Sequence, residues 1–400
     1  MKGKLPGGWE EKNLGEVCSF LNRGISPKYV ETYGVCVLNQ KCIRDHFIRY
    51  EQSRRHDSSV KSVSPERFIK LGDVLVNSTG TGTLGRVAQV RNNPKEQTTV
   101  DSHVTIVRPK EGMFFPDFFG YMLILIEEAI KEAGEVCGGQ TELARSVLEE
   151  RFFVRYPKSI PEQQRIVAIL DEAFAAIATA KENAEKNLQN ARELFESYLQ
   201  SVFANPGDGW EEKKLGEVCS FEGGSQPSKD YFIYDNKEEY IRLIQIRDYK
   251  TEEKKVYIPI EKAKRFCDEK EIMIGRYGPP VFQILRGIKG AYNVALMKAI
   301  PNEKIIEREF MFFYLQHRGI QQYIINLSQR AVGQTGISRE DLEAYPIYFP
   351  NIKKQSEIAI VITALSAETK KLEAIYRQKL ADLEEMKKSV LQKAFNGGLA

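Results

Sequence analysis

Residues 8–20 read GWEEKNLGEVCSF and residues 209–221 read GWEEKKLGEVCSF, so one block recurs with a single change at an offset of 201 residues. Both tryptophans of the chain, Trp9 and Trp210, lie in this block. Such similarity at a fixed spacing predicts a tandem duplication of one folded module. Two copies of a module present two similar surfaces related by approximate twofold symmetry, which suits a ligand that is itself made of two parts.

Two further blocks repeat after the first one. GGQTELARSVLEE at residues 138–150 corresponds to VGQTGISREDLEA at residues 332–344, and the two share Gly-Gln-Thr followed by a matched arginine and leucine. Residues 160–203 then align with residues 352–395 at a constant offset of 192. The frame of the module is therefore repeated up to the end of each half.

The segments between the shared blocks have diverged and contain the insertions, at residues 21–137 and 222–331. A shared frame with a divergent middle is expected of two modules that recognise different targets. Neutral drift of surface loops is the alternative interpretation.

The composition is that of an ordinary globular protein. A length of 400 residues predicts roughly two to four domains, each able to bury its own core. The net charge of +3 is too small for the whole chain to capture nucleic acid electrostatically, so only local clusters of charge could do so. No apolar run approaches the length of a membrane span, and we expect a soluble, cytoplasmic protein without membrane contact.

Neither the cysteines nor the histidines indicate a metal site. The six cysteines form no C-x-x-C pair, and the four histidines show no metal-ligand spacing. We therefore expect reduced, mostly buried thiols and no bound metal.

The last part of each half predicts a long helix. Apolar residues recur there at alternating spacings of three and four, the period of a heptad seam, from Ile166 to Val202 and from Ile358 to Ala394. Roughly forty residues at about 1.5 Å each predict rods of about 60 Å. Asn187 and Lys379 interrupt the two seams at equivalent positions. A polar residue in a seam can fix its register, and frayed packing at these points is the alternative.

Connectivity predicts how the two rods run. The first rod ends at Asn-Pro-Gly, residues 205–207, where the second module begins, and the second ends at Asn-Gly-Gly, residues 396–398. If the seams pack on each other, the rods must be antiparallel, and the second rod returns the chain to the start of the first module. The path of the chain is then nearly circular, with a pseudo-twofold axis across the rods.

Inside each module, short strands precede a helix, so each module is expected to be an α+β unit. The expected strands are residues 73–77, 86–90, 104–108, 240–246, 271–274 and 291–299, and the expected helices are residues 116–131 and 309–326.

A glycine-rich segment at residues 80–85, GTGTLG, fits the dinucleotide-binding pattern G-x-G-x-x-G. That motif requires a helix after the glycines, whereas RVAQV at residues 86–90 has the character of a strand. The second module has GRYGPP at residues 275–280 instead. A loop between two strands is the better interpretation, and no other segment suggests covalent chemistry.

Charge is unevenly distributed in the first module. Residues 21–110 carry 15 Lys and Arg against 8 Asp and Glu, whereas residues 111–162 carry 5 against 10. Basic residues interleaved with aromatic ones such as Phe47 and Tyr50 are typical of a nucleic-acid surface. Lys and Arg suit phosphate groups, and Asn, Gln and Arg can pair with base edges.

The candidate DNA-binding residues share this chemistry and fall in the divergent segments of the two modules. They are Asn39, Gln40, Lys41, Arg44, Arg54, Arg55, Thr81, Arg86, Gln245, Arg247, Lys250, Arg276 and Tyr277. Arg44 and Arg247 are expected counterparts, because each lies in an Ile-Arg-Asp triplet. A solvated surface is the alternative for any one of these residues.

The order of module, long helix, module and long helix resembles the specificity subunit of type I restriction–modification systems. The resemblance covers nearly the whole chain and rests on Trp-x-x-x-x-Leu-Gly-Glu-Val at the start of each module, Gly-Gln-Thr near its end, and IPEQQRI at residues 160–166, where the first helix begins. The second helix begins with IKKQSEI at residues 352–358, which keeps Gln355 but lacks the proline and the second glutamine.

The resemblance implies a fold of two pseudo-symmetric α+β domains separated by two long antiparallel helices that form a coiled-coil pair. Target recognition domains are expected at residues 1–160 and 206–350, and spacer helices at residues 161–205 and 351–400. Each domain would read one half of a split site in double-stranded DNA, and the helices would act as the ruler for the unread spacer.

The resemblance also implies partners and a non-catalytic role. Two methyltransferase subunits would dock on this chain, and restriction/translocase subunits would complete the complex. S-adenosylmethionine, Mg²⁺ and ATP would bind those partners, and no cofactor would bind this chain. The alternatives are a two-module scaffold that binds proteins without reading DNA and, more remotely, an enzyme built on the glycine-rich loop.

Overall fold

The structure is a computed structural model that describes residues 5–137, 140–278, 280–330 and 336–399. The Gly-Gln-Thr triplet of the second half, and the glycine of the first, lie outside these residues. The chain divides into two compact units, Met1–Asn183 with Lys379–Ala400, and Ala184–Gln378. Within the described residues, no helix is both long and apolar enough to span a bilayer.

The first unit is mixed α+β. Its strands are β1 (Trp9–Asn13), β2 (Cys18–Arg23), β3 (Tyr29–Val30), β4 (Val35–Leu38), β5 (Ile43–Arg44), β6 (Phe47–Ile48), β7 (Arg54–His56), β8 (Val74–Asn77), β9 (Val87–Gln89), β10 (Thr98–Val100), β11 (Val104–Pro109), β12 (Glu135–Cys137), β13 (Gln140–Glu142) and β14 (Phe153–Pro157). Its helices are α1 (Leu14–Val17), α2 (Pro116–Leu125), α3 (Glu127–Glu132), α4 (Arg145–Glu150) and the first part of α5 (Ile160–Phe203).

Within the described residues, the second unit repeats this order with fewer strands. Its strands are β15 (Glu211–Lys214), β16 (Cys219–Gly223), β17 (Tyr240–Ile244), β18 (Tyr257–Pro259), β19 (Phe266–Cys267), β20 (Ile272–Gly275), β21 (Gln283–Leu285), β22 (Gly290–Tyr292), β23 (Leu296–Pro301) and β24 (Pro346–Phe349). Its helices are α6 (Leu215–Val218), α7 (Arg308–Tyr314), α8 (Arg318–Arg330), α9 (Arg339–Ala344) and most of α10 (Ile352–Phe395).

The sheets confirm the duplication. The first unit has a sheet in the order β2-β11-β8-β9, and the second unit has its equivalent in the order β16-β23-β20-β21. A second sheet is β10-β4-β7-β3 in the first unit and β18-β17-β22-β19 in the second. In both units one pair of this second sheet is parallel, β4 with β10 and β17 with β22. The α+β prediction for each module is therefore confirmed.

The repeated Leu-Gly-Glu-Val segment forms a one-turn helix that packs on a second short helix, α1 on α4 and α6 on α9. Its leucine and valine are fully buried in both units. Its glycine permits the close approach, because a Cβ on Gly15 would lie 3.2 Å from Cβ of Glu149, and one on Gly216 would lie 2.8 Å from Cβ of Glu343. Its glutamate accepts a hydrogen bond from the backbone N–H of the residue that precedes the helix, at 2.9 Å in the first unit and 2.6 Å in the second. The motif is thus explained by packing and capping.

The long helices pack antiparallel within each unit, as predicted. In the first unit Lys181 pairs with Glu384 at 2.6 Å, and in the second Arg192 pairs with Glu373 at 3.2 Å. The chain end also returns to the start of the first module. A Cβ on Gly397 would collide with the ring of Pro6.

The seam is apolar at the positions that the heptad spacing predicts, including Leu170, Ile177, Ala184 and Ala191 on α5, which are buried. The prediction that Asn187 and Lys379 interrupt the seam is wrong, because both side chains are exposed. Seven residues are slightly fewer than two full turns of an α-helix, so positions counted in steps of seven gradually rotate out of the interface. Among the described residues, the buried polar side chains on α10 are Gln355, near the start of the helix, and Thr369.

Both helices predicted inside the modules are interrupted. Residues 116–131 form α2 and α3, which meet at Ile126 with φ −95° and ψ 5°, outside the helical region. Residues 309–326 form α7 and α8, with a break before Arg318. There the Nδ1 atom of His317 accepts the N–H of Gly319, which supplies a partner for an amide at the start of α8.

The strand predicted at residues 291–299 is two strands that belong to different sheets, β22 and β23. Asn293 turns the chain between them, because its side-chain oxygen accepts the N–H of Ala295 at 3.1 Å. This local hydrogen bond is the mechanism by which asparagine favours turns.

Candidate nucleic-acid interface

Residues 80–85 form the loop of the hairpin between β8 and β9. Gly80, Gly82 and Gly85 have φ of 109°, 77° and 85°, values that residues with a side chain rarely adopt. The loop is followed by the strand β9, which confirms the interpretation of this segment as a loop between two strands. Thr81 is exposed at the tip of the loop. Nη2 of Arg86 donates to the carbonyl of Gly82 at 3.0 Å, which holds the Arg86 side chain against the loop.

Two amide side chains lie under this loop. Nδ2 of Asn77, which is fully buried, donates to the carbonyls of Gln40 at 3.0 Å and Thr83 at 3.1 Å. Gln40 lies against Gly80, where a Cβ would come within 3.3 Å of both atoms of its amide group. Among the described contacts, the Gln40 side-chain oxygen has no hydrogen-bond partner. The structure thus brings Gln40, Thr81 and Arg86 together.

The loop is joined to the rest of the module by polar residues that the sequence interpretation passed over. The hydroxyl of Thr79 is 2.6 Å from Nδ1 of His103, and the backbone N–H of His103 donates to Asp101 at 2.9 Å. Burial raises the pKa of Asp101. The role of the His103 side chain was not visible in the sequence, because its partner Thr79 lies 24 residues away.

The second module places Arg276 and Tyr277 at the equivalent point, directly after β20. The backbone N–H of Ile337 donates to the carbonyl of Arg276 at 3.3 Å, as that of Leu143 donates to Ser78 at 2.9 Å in the first module. The Arg276 guanidinium lies 5.4 Å from the centre of the Tyr277 ring, which is exposed. A similar surface is therefore built from different residues.

Gln245 precedes a short 3₁₀ helix, Ile246–Tyr249, next to this surface. Its backbone N–H donates to the Asp248 carboxylate at 2.8 Å. Burial raises the pKa of Asp248. A Cβ on Gly275 would lie 3.4 Å from the side chain of Ile246, so this segment is adjacent to the end of β20.

The two Ile-Arg-Asp triplets differ in structure, so the expectation that Arg44 and Arg247 are counterparts is wrong. Arg44 is the last residue of β5. The chain turns from β5 to β6 at Asp45 and His46, whose φ values are 55° and 64°. Arg247 lies in the 3₁₀ helix, and its Nη2 donates to the carbonyl of Lys254 at 3.4 Å. The third residue of each triplet has a different role, since Asp45 lies in a turn with positive φ, whereas Asp248 is buried and accepts the N–H of Gln245.

The other basic candidates are distributed over the modules, and some are already engaged. The Arg54 guanidinium stacks on the Tyr29 ring at 3.4 Å, and Arg55 forms an ion pair with Glu96. Lys41 and Lys250 are exposed. Both ends of the Asn39 amide are used locally, by the carbonyl of Gln52 and by the N–H of Lys41.

Known proteins similar to this chain share this architecture. The family model described as "Type I restriction modification DNA specificity domain" matches residues 6–188 and 207–382. The type I restriction enzyme MjaIX specificity subunit of Methanocaldococcus jannaschii is 26% identical over 269 residues, which is 60% of this chain and 59% of the length of that relative.

Two solved structures share the fold. A chain from a study of complex assembly and conformational transition of the type I R-M system superimposes with a TM-score of 0.79 at 17% identity, covering 98% of both chains. The HsdS subunit from Thermoanaerobacter tengcongensis superimposes with a TM-score of 0.59 at 18% identity, covering 99% of this chain and 98% of that one. With two copies of the matched domain on one chain, this protein belongs to the family of type I restriction–modification DNA specificity domains.

Proposed function

We propose that the chain is the sequence-specific DNA-recognition subunit of a type I restriction–modification complex. It reads a bipartite, asymmetric site and directs methyltransferase and restriction subunits to it. The observation that carries the proposal is the repeated frame: two units with equivalent sheets present segments of different sequence after equivalent strands, residues 80–85 after β8 and residues 276–278 after β20. Two different loops on one frame suit two different half-sites.

Specificity subunits of this family are non-catalytic, so the chemistry belongs to the partners. Two methyltransferase subunits, which carry S-adenosylmethionine, assemble with this chain in the cytoplasm. Restriction/translocase subunits, which use Mg²⁺ and ATP, complete the complex. The relative from Methanocaldococcus jannaschii is named as the specificity subunit of a restriction enzyme, which supports this assignment.

The recognition modules are residues 1–160 and 206–350, and the spacer helices are residues 161–205 and 351–400. The start of α5 at Ile160 and of α10 at Ile352 supports these boundaries. In this assignment the helices set the length of unread DNA between the half-sites, and the modules carry the contacts to bases.

The reading surface of the first module consists of the loop 80–85, the hairpin formed by β5 and β6, and the turn at residues 39–42 that precedes this hairpin. That of the second module is formed by the segments that follow β17 and β20. The residues proposed to contact DNA are Asn39, Gln40, Lys41, Arg44, Arg54, Arg55, Thr81, Arg86, Gln245, Arg247, Lys250, Arg276 and Tyr277. Exposed Lys41 and Lys250 suit phosphate groups, and Gln40 and Arg276 suit base edges.

Binding of the purified complex to defined duplexes in the presence of competitor DNA tests the proposal. We expect one duplex sequence to be retained selectively, and binding that never depends on sequence would favour the protein-binding scaffold. If Arg247 hydrogen-bonds to a guanine, Arg247→Ala should reduce the free-energy discrimination at one base pair by about 1–3 kcal/mol. A uniform loss over all sequences with a smaller dependence on salt would assign Arg247 to a phosphate instead.

A further inference from the structure

The hairpin formed by β5 and β6 in the first module projects an aromatic ring into solvent. Arg44 and Phe47 are directly opposite each other across the two strands, and their side chains therefore share one face of the ribbon. Arg44 is 59% exposed and Phe47 is 66% exposed. Ile43, on the opposite face, is fully buried. The hairpin is thus anchored on one side and presents an arginine and a phenylalanine on the other.

The tip of this hairpin is tied to the loop that follows β8. Nε2 of His46 lies 3.0 Å from Oε2 of Glu127 on α3. The same carboxylate oxygen accepts the backbone N–H of Val87, the first residue of β9, at 3.3 Å. A Cβ on Gly85 would lie 2.8 Å from Cβ of Lys131, so the end of the loop also packs on α3. One carboxylate therefore fixes the hairpin relative to the loop that carries Thr81 and Arg86.

We propose that this hairpin enters the major groove of the first half-site, that Phe47 packs against the C5-methyl group of a thymine there, and that Glu127 is a positioning residue for that contact. The inference rests on the proposed DNA-reading function. A two-stranded ribbon fits the major groove, and a phenylalanine is among the apolar side chains that contact the thymine methyl group. Ordinary folding does not require a large apolar side chain to be mostly exposed next to arginines, whereas a methyl group in a polar groove offers it a partner.

The second module has no equivalent of the hairpin at its own Ile-Arg-Asp triplet, where the chain forms a 3₁₀ helix. The contact is consequently specific to one half of the site. This asymmetry gives the test an internal reference, because the second half-site should not respond to any change in the hairpin.

The test uses the complex of the full chain with its methyltransferase partners and duplexes in which each thymine of the site is replaced in turn by uracil, which removes only the methyl group. For the unmodified protein, one replacement in one half-site should weaken binding about fourfold, the effect of losing one buried methyl group. Phe47→Ala should bind more weakly and should not respond to that replacement. Phe47→Leu, which keeps an apolar side chain, should retain part of the response.

Glu127→Gln should reduce the response to the methyl group, and Glu128→Gln is its matched control. Glu128 is the neighbouring acid on α3 and pairs with Lys131 instead of the hairpin. If Glu127 acts through Phe47, Glu127→Gln should have no further effect on base preference in the Phe47→Ala background, whereas a merely structural loss would add to it.

The outcomes separate this inference from the function on which it rests. If the unmodified complex does not discriminate between sequences, the proposed function fails. If it discriminates but no uracil replacement weakens binding, or if Phe47→Ala responds to the replacement as the unmodified protein does, the hairpin does not read a thymine and the inference is wrong.

Discussion

Gln163 and Gln355 occupy the same place in the two units, and each makes three hydrogen bonds. The side-chain oxygen of Gln163 accepts the N–H of Phe115 at 2.7 Å, and its Nε2 donates to two backbone carbonyls. Gln355 repeats the pattern, with the N–H of Glu307 at 2.8 Å. Both side chains are fully buried. This arrangement explains why the second helix keeps this glutamine while the residues around it have changed.

Replacing Gln163 by Leu should destabilise the first unit by about 3 kcal/mol or more, because several buried backbone groups lose their partner at once. Gln164→Leu is the matched control, since the next glutamine is exposed. Unfolding in urea measures both effects. Equal stability of the two variants would show that the hydrogen bonds of Gln163 do not hold the start of the helix in place.

His317 should make the stability of the second unit depend on pH. Its side chain is 4% exposed, and burial lowers its pKa from an ordinary value of 6.5 to about 4. The folded state therefore excludes a proton that the unfolded chain takes up below pH 6.5. Stability should be constant above that pH and should fall by about 3 kcal/mol as the pH drops from about 6.5 to about 4.

Unfolding followed by the fluorescence of Trp210, in a Trp9→Phe background, checks this prediction for the second unit. His317→Gln, which cannot take up the proton, should remove the loss of stability in that pH range. A pH dependence that is unchanged in His317→Gln would assign it to other groups.

At the scale of elements, the packing of α1 on α4 and of α6 on α9 depends on one glycine in each unit. Gly216→Ala should cost about 1–3 kcal/mol, because its new methyl group would meet a Cβ that cannot swing away. Gly15→Ala should cost less, since the corresponding distance is 3.2 Å and not 2.8 Å. Gly223→Ala serves as a control, because nothing lies within 4 Å of its added Cβ. Thermal unfolding of the three variants gives the order, and a reversed order would contradict the packing described.

The elements were predictable from sequence where one pattern decides them. The heptad spacing predicts α5 and α10, and the character of residues 86–90 identifies the strand after the glycine-rich loop. The breaks at Ile126 and before Arg318 were not predicted, because apolar residues continue on both sides of each break. The division of residues 291–299 between two sheets was also missed, although Asn293 in the middle was a turn signal.

The candidate site was predictable in type but not in detail. Amides and arginines in the divergent segments were identified, and the structure places Gln40, Thr81 and Arg86 together. Asn77, His103 and Glu127 were missed, because their roles depend on partners that only the fold brings near. The pairing of Arg44 with Arg247 was wrong, since three identical residues do not fix a backbone conformation.

For the whole molecule, the chain path predicts that the ends can be joined. The carbonyl of Leu399 accepts a hydrogen bond from Nη1 of Arg165 at 3.0 Å, and Gly397 lies against Pro6. A permuted chain that links residue 400 to residue 1 through a short linker and opens near Gly207 should fold and keep its target, because few contacts should cross the opened turn. Solubility and the recognised sequence are the measurements. An insoluble product, or one with a different target, would show that the two ends of the chain are not neighbours.

We propose that two equivalent units read two different half-sites. Sequencing the methylated positions in a host that expresses this chain with the proposed methyltransferase partners shows the recognised motif. A motif with two dissimilar half-sites, separated by a spacer of fixed length and free sequence, is the predicted result. A continuous motif, or one that is a perfect palindrome, would contradict the account.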